Sequence, residues 1–169
     1  DRVQTITVDD NTQPNVSGPA DVTISCVSGI PDADTGLITA SDNCGTPNVA
    51  HAGDASDGNS CPQVISRTYR VTDTCGNVRD WVQKITVDDR NAPSVQPLSD
   101  ITVSCAAQVP APNTGLVQAN DNCGQVYVSH LGDQNQGNGC GGKVMRTYRV
   151  VDSCGNATTV TQKIIINDL

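Results

Sequence analysis

The cysteines constrain this chain more than any other residue type. Cys26, Cys44, Cys61 and Cys75 recur as Cys105, Cys123, Cys140 and Cys154, each 79 residues further on. The same shift lays Asp42-Asn43-Cys44-Gly45 on Asp121-Asn122-Cys123-Gly124 and Arg67-Thr68-Tyr69-Arg70-Val71 on Arg146-Thr147-Tyr148-Arg149-Val150. Cys75-Gly76-Asn77 falls on Cys154-Gly155-Asn156, and close to half of all overlapping positions are identical. The chain is therefore an internal duplication, and its fold is set by what one such unit can build. An even cysteine count, divided equally between the copies, reads as a disulfide framework made in an oxidising compartment. Zinc is poorly supplied: no C-x-x-C occurs, and each copy holds a single histidine, His51 or His130.

The shift also locates the module boundaries. Val3-Gln4-Thr5-Ile6-Thr7-Val8-Asp9-Asp10 matches Val82-Gln83-Lys84-Ile85-Thr86-Val87-Asp88-Asp89, which closes the first copy. Residues 1–10 are thus expected to be the closing strand of a preceding repeat, with copy one at 11–89 and copy two at 90–169. A third linker would begin at Asn167-Asp168-Leu169. Either the array continues in both directions, or the first strand is lent to another subunit.

Composition explains the need for cross-links. There is no phenylalanine, one tryptophan (Trp81) and three tyrosines, so each unit has a thin apolar core that disulfides would reinforce. A net charge of −8 argues against nucleic acid and against anionic membrane surfaces. Neither a signal peptide nor an apolar run of about 18 residues is present. Signals for export and anchoring are expected outside this segment.

Helical periodicity is absent, and period-two runs of β-branched residues alternate with Gly, Pro, Asn and Asp clusters. Val22, Ile24 and Cys26 share one face of a strand, as do Ile101, Val103 and Cys105. Ile38 and Ala40 share another, matched by Val117 and Ala119. Val49 and His51 suggest a short third strand. Val64 to Asp73 gives the longest, with Ile65, Arg67, Tyr69 and Val71 on one side, and Trp81, Gln83, Ile85 and Val87 line the inner face of the last. Such a module reads as all-β, an antiparallel sandwich of immunoglobulin-like architecture. Four cysteines allow three pairings. If successive strands run up and down between two poles, Cys26 meets Cys61 and Cys44 meets Cys75, with Cys105–Cys140 and Cys123–Cys154 in copy two.

The run from Arg67 to Asn77, closing on Ile85-Thr86-Val87-Asp88-Asp89 and then Pro93, resembles the hyalin-repeat (HYR) pattern. Pro19-Ala20-Asp21-Val22-Thr23-Ile24-Ser25-Cys26 resembles it too. More closely, both copies are similar to the cysteine-rich HYR-like repeats of Bacteroidota surface proteins, gliding-type adhesins among them. The resemblance implies an immunoglobulin-like fold, a place at the cell surface, and a role in adhesion or as a stalk. The last strand lacks the cysteine of the animal pattern, so neither that family's disulfide nor its partners carry over.

The most suggestive polar residues gather at one pole. Asp9, Asp10, Asp42, Asn43, Asp73 and Asn77 are expected to meet in copy one, and Asp88, Asp89, Asp121, Asn122, Asp152 and Asn156 in copy two. Oxygen-rich clusters at repeat junctions suit Ca²⁺, which takes six to eight oxygen ligands. Ordinary Asx turns account for the same residues without a metal. Arg67 and Arg146 occupy an inward register, where a charge needs an aspartate or carbonyl partner near the sandwich end. Asn15-Val16-Ser17 and Asn156-Ala157-Thr158 are glycosylation-type sequons, and Thr12, Ser17, Ser94 and Ser99 could carry O-linked sugars. No catalytic constellation emerges, and an enzyme is not expected.

The leading expectation is a structural repeat of a long extracellular adhesin stalk or surface filament. Its partners would be neighbouring repeats or filament subunits, with covalent glycans. The alternative is a glycan- or matrix-binding module using loops Gly53 to Asn59 and Gly132 to Asn138, against which the sparse aromatic content tells.

Overall fold

The computed structural model describes residues 1–137 and 141–167. Asn138, Cys140, Asp168 and Leu169, which figure in the expectations above, lie outside the described residues. The chain divides into two compact units, Asp1–Asp88 and Asp89–Leu169, and no α-helix occurs among the described residues.

In the first unit, residues 1–14 carry no strand, and Val3, Ile6 and Val8 are exposed. Six strands follow: β1 (Asn15–Ser17), β2 (Val22–Ile24), β3 (Thr39–Ser41), β4 (Asn48–Ser56), β5 (Gln63–Thr72) and β6 (Val78–Val87). One layer is a four-stranded sheet in the order β2-β6-β5-β4, and β1 pairs with β3 to form the other. The long hairpin β5–β6 dominates because its inner positions are apolar on either side of one polar pair: Ile65, Tyr69, Val71, Ile85 and Val87 are all buried. Val16 of β1 and Ala40 of β3 close the sandwich over Tyr69 and Val71.

The second unit repeats this with β7 (Ser94–Val95), β8 (Ile101–Val103), β9 (Ala119–Asn120), β10 (Val126–Gln136), β11 (Lys143–Asp152) and β12 (Ala157–Ile166). Its sheets run β8-β12-β11-β10 and β7-β9. Both modules are immunoglobulin-like β-sandwiches.

Two features depart from the sequence reading. The pairings are antiparallel except β2–β6 and β8–β12, which are parallel. After β2 the chain makes a long excursion into the other layer instead of a hairpin, so β2 docks on the free edge of the final strand, running the same way. The short strand expected at Val49 and His51 is nine residues long and broken by a β-bulge between His51 and Gly53. Gly53 sits at φ +135°, in the left-handed half of the map that favours glycine. The extra residue decides which side chain faces Arg67. Beyond the bulge Asp54, not Gly53, lies opposite it.

Each core is split in two. Ile65, Ile85 and Val87 pack with Ile24 and Ile30, while Ile38, Tyr69 and Val71 pack with Val16, Ala40, Val49 and Trp81. Between them on the β5–β6 face lies a polar layer of the cross-strand pair Arg67 and Gln83.

Candidate functional site

The buried polar layer is satisfied from within. Arg67 donates from Nε to Asp54 Oδ1 at 2.9 Å, from Nη2 to Asp54 Oδ2 at 2.8 Å, and from Nη1 to the Pro31 carbonyl at 2.8 Å. His51 Nε2 lies 2.9 Å from Asp54 Oδ1. The guanidinium and then the histidine hold the Asp54 carboxyl at about 2, below the usual carboxylate range. Arg146, Asp133, Pro110 and His130 rebuild the same group, with Asp133 also held at about 2. The arginines sit at mid-strand between two apolar clusters, not near the sandwich end. The sequence showed an arginine needing a partner but did not name Asp54 or Asp133. The signal was there, since each aspartate stands beside the bulge glycine thirteen residues before its arginine. This group cross-links β4, β5 and the segment at Pro31 within the module.

The acidic residues behave differently. Asp10, just ahead of β1, is 7% exposed, and Asp89 in the second unit is 3% exposed. Asp10 Oδ1 accepts from Thr12 N and Asn43 Nδ2, and its carbonyl accepts from Asn77 Nδ2. The Thr12 amide is the main influence drawing its carboxyl below the usual range. Asp42 opens the turn before β4, with one oxygen accepting from Cys44 N. Asp73 directly follows β5; both its oxygens accept, from Cys75 N, Asn77 N and Asn77 Nδ2. Burial works against ionisation there, but these donors prevail and lower its pKa. Ligand-capable oxygens of Asp10, Asp42 and Asp73 all lie within 4.8 Å of one another.

Copy two repeats the pattern. Asp89 Oδ1 accepts from Asn91 N and Asn122 Nδ2, and its carbonyl from Asn156 Nδ2. Asp121 accepts from Cys123 N, and Asp152 from Cys154 and Asn156. Here the close group is Asp89, Asp121 and the Cys123 sulfur. Of the expected acidic residues, exposed Asp9 accepts only from its neighbour Asn11. Asp88 is tied through its backbone to Ile24. Neither belongs to these groups. Asn43 and Asn122 enter as donors to the carboxylates.

Cys26, Cys61, Cys123 and Cys154 are disulfide-bonded, whereas Cys44, Cys75 and Cys105 are thiols. Four of the seven described cysteines are thus in disulfides. The Asp10 carboxylate pushes the Cys44 thiol up, with Asp42 and Cys75 adding to the effect, so Cys44 and Cys75 are near neighbours. The bonded cysteines of copy one, Cys26 and Cys61, correspond to Cys105 and Cys140, and those of copy two, Cys123 and Cys154, correspond to Cys44 and Cys75. Superposing the copies yields one framework, 26–61 with 44–75 and 105–140 with 123–154, which we propose for the oxidised protein. Of the two sequons, Asn15 is exposed on β1. Asn156 Nδ2, the atom a glycan would occupy, donates to Asp89 and Asp152.

The family model of the HYR-like domain with 4 cysteines matches residues 14–87 and again 93–166. The chain belongs to this family, as two tandem copies. No curated protein matches the chain. Among solved structures, one titled "Protocadherin gammaB7 EC3-6 cis-dimer structure" aligns over 93% of this chain and 51% of its own, at 10% identity and a TM-score of 0.33. The chain spans about half the length of that structure, and at this score no argument rests on the likeness. No helix among the described residues of the HYR-like pair is long and apolar enough to cross a membrane.

Proposed function

We propose that this HYR-like pair is a structural segment of an extracellular repeat array, the stalk or filament of a surface adhesin such as those of Bacteroidota, and not an enzyme. The observation that carries the reading is what the duplication has kept. Both copies rebuild the same internal bonds: Arg67 to Asp54 and Pro31 as Arg146 to Asp133 and Pro110, the Asp34 amide to Tyr69 Oη as the Asn113 amide to Tyr148 Oη, and Asn77 to Asp10 as Asn156 to Asp89. The exposed stretch Ala55-Ser56-Asp57 has become Gln134-Asn135-Gln136, and Val78-Arg79-Asp80 has become Ala157-Thr158-Thr159. A copied building block keeps the bonds that hold it together, and these are kept in both copies. Disulfides and the family both favour an oxidising, extracellular setting.

The test takes the oxidised two-module chain to a glycan array and to immobilised matrix proteins. Electron micrographs of longer tandem arrays of the module are recorded alongside. The expected result is no saturable binding and uniform rods whose length grows in proportion to module number. Gly53 to Ser56 belong to β4, so the residues to exchange are the turn from Asp57 to Asn59; saturable binding lost on that exchange would overturn the stalk reading in favour of a binding module.

A further inference from the structure

We infer that each module holds a hard divalent cation, calcium, between the chain entering it and its first polar turn: at Asp10, Asp42 and Asp73 in copy one, and at Asp89 and Asp121 in copy two. Turn chemistry explains only half of these carboxylates. Asp10 Oδ1, Asp89 Oδ1 and one oxygen each of Asp42 and Asp121 accept backbone amides, as Asx turns require. The other four oxygens, Asp10 Oδ2, Asp42 Oδ1, Asp89 Oδ2 and Asp121 Oδ2, are buried and have no hydrogen-bond partner. They are the buried side-chain polar atoms without partners among the described residues, and they fall two to each cluster. A side chain present only to cap a turn would leave its spare oxygen in water.

Buried anionic oxygens without donors are unfavourable, and grouping them compounds the repulsion. A divalent cation removes both penalties at once. In copy one the Cys44 thiol leans on Asp10. In copy two the equivalent Cys123 is in a disulfide and has no proton to give, yet Asp89 Oδ2 is unpartnered in the same way. The thiol therefore does not account for the pocket.

The donor set selects the ion. Its ligands are carboxylate oxygens, the sulfur of Cys123 is not a thiolate, and no histidine belongs to either group. That excludes the preferences of zinc and copper and suits oxygen-seeking ions. Oxygens within 4.8 Å of one another can be bridged by a cation with metal–oxygen distances of about 2.4 Å, the calcium range. Magnesium demands near-octahedral geometry and usually keeps several waters, whereas these carboxylates come from separate segments already fixed by backbone amides. Sites in extracellular modules bind calcium at about 10⁻⁴–10⁻³ M, and the small charge count here fits that weak range. The ion would tie the entering residue, Asp10 or Asp89, to the turn opened by Asp42 or Asp121. The inference does not rest on the stalk reading, since a single module of any function would bind equally.

The experiment uses the oxidised two-module chain, stripped with chelator, in calorimetric titration with calcium chloride and in thermal unfolding. Two calcium ions per chain are expected, with a Tm rise of at least about 5 °C in 10 mM calcium. Asp42→Asn and Asp121→Asn each keep the side chain's shape and should each reduce the stoichiometry from two to one; together they should abolish binding. Without calcium, Asp42→Asn should melt no lower than the parent, because it removes a repelled charge; a residue needed only for its turn would lower Tm here. If either variant folds poorly, Asp10→Asn or Asp89→Asn reads the same site. Flat titrations with a Tm indifferent to calcium and chelator overturn the inference. So does a stoichiometry that stays at two in the variants. A response to magnesium equal to that of calcium overturns the choice of ion.

Discussion

Replacing Asp54 by alanine should damage its module far more than replacing the arginine it pairs with, and the structure gives the size of the difference. The Arg67 side chain is 5% exposed and that of Asp54 is 33% exposed. In Asp54→Ala the guanidinium keeps the neutral Pro31 carbonyl but stays buried with its charge uncompensated, a situation that costs about 3–5 kcal/mol. In Arg67→Met the thioether fills most of the vacated volume, and water can reach the abandoned carboxylate. Lowering Asp54 from 3.8 to about 2 corresponds to about 2.4 kcal/mol of favourable interaction at 1.36 kcal/mol per pH unit. Solvent screening of a carboxylate one-third exposed trims that to about 1–2 kcal/mol, and this bounds the cost of Arg67→Met.

Calorimetry of the two-module chain should therefore show the copy-one transition falling by roughly 12 °C or more in Asp54→Ala and by clearly less in Arg67→Met, at about 4–8 °C per kcal/mol for a domain of this size. The Asp133–Arg146 transition provides an unaltered reference. Because the folded pKa of Asp54 is depressed, the parent has this stabilisation in full above about pH 4 and loses it as pH falls towards 2. Asp54→Ala should lack that part of the acid dependence. Equal costs for the two variants, or a larger one for Arg67→Met, would refute the claim that the burial of the guanidinium dominates.

Peptide mapping of the oxidised chain without reductant should recover Cys26 joined to Cys61 and Cys44 joined to Cys75; a Cys26–Cys44 peptide would exclude the framework. Each such bond closes a loop worth about 3.5–4 kcal/mol in the chain-entropy model, so reduction should lower both melting transitions. A Cβ on Gly18 would lie 2.5 Å from Ile38 Cδ1 and 2.7 Å from Trp81 Nε1. Gly18→Ala should thus cost about 1–3 kcal/mol, and adding Trp81→Val should recover part of it, as copy two, with Pro97 and Val160 at these positions, already implies. Gly53→Ala meets no atom within 4 Å, so its cost of about 1–3 kcal/mol is conformational, read as a lower midpoint in urea with an unchanged slope.

Strand identity was legible because burial imposes a period of two on β5 and β6. Ile65, Tyr69, Val71, Ile85 and Val87 announce their face without any knowledge of partners. The bulge was not legible, because a glycine at position 53 reads equally as a loop, and only the cross-strand register shows that it delivers Asp54 to Arg67. The parallel docking of β2 was hidden for a similar reason: three residues carry no sign of direction, which is set by where the excursion after Ile24 leads. At the acidic pole the sequence supplied Asp10, Asp42, Asp73, Asp89 and Asp121 but also Asp9 and Asp88. Separating members from bystanders needs the fold. Adjacent aspartates point to opposite sides of an extended chain, so only one of each pair turns inward. That spare oxygens remain after the turns are satisfied is a matter of hydrogen-bond geometry that no spacing records.

The parallel pairing has a mechanical meaning. Val22–Ile24, close to where the chain enters the first module, lies beside Ile85–Val87, close to where it leaves, and both run the same way. The Asp88 amide extends the ladder by donating to the Ile24 carbonyl at 2.8 Å. Tension on the two ends pulls these strands in opposite senses along their own axes, so the bonds between them are sheared together rather than peeled one at a time. Ile164–Ile166 and Ile101–Val103 repeat the arrangement in the second module. A short edge strand that contributes little to the core is thereby placed to resist when the chain is stretched.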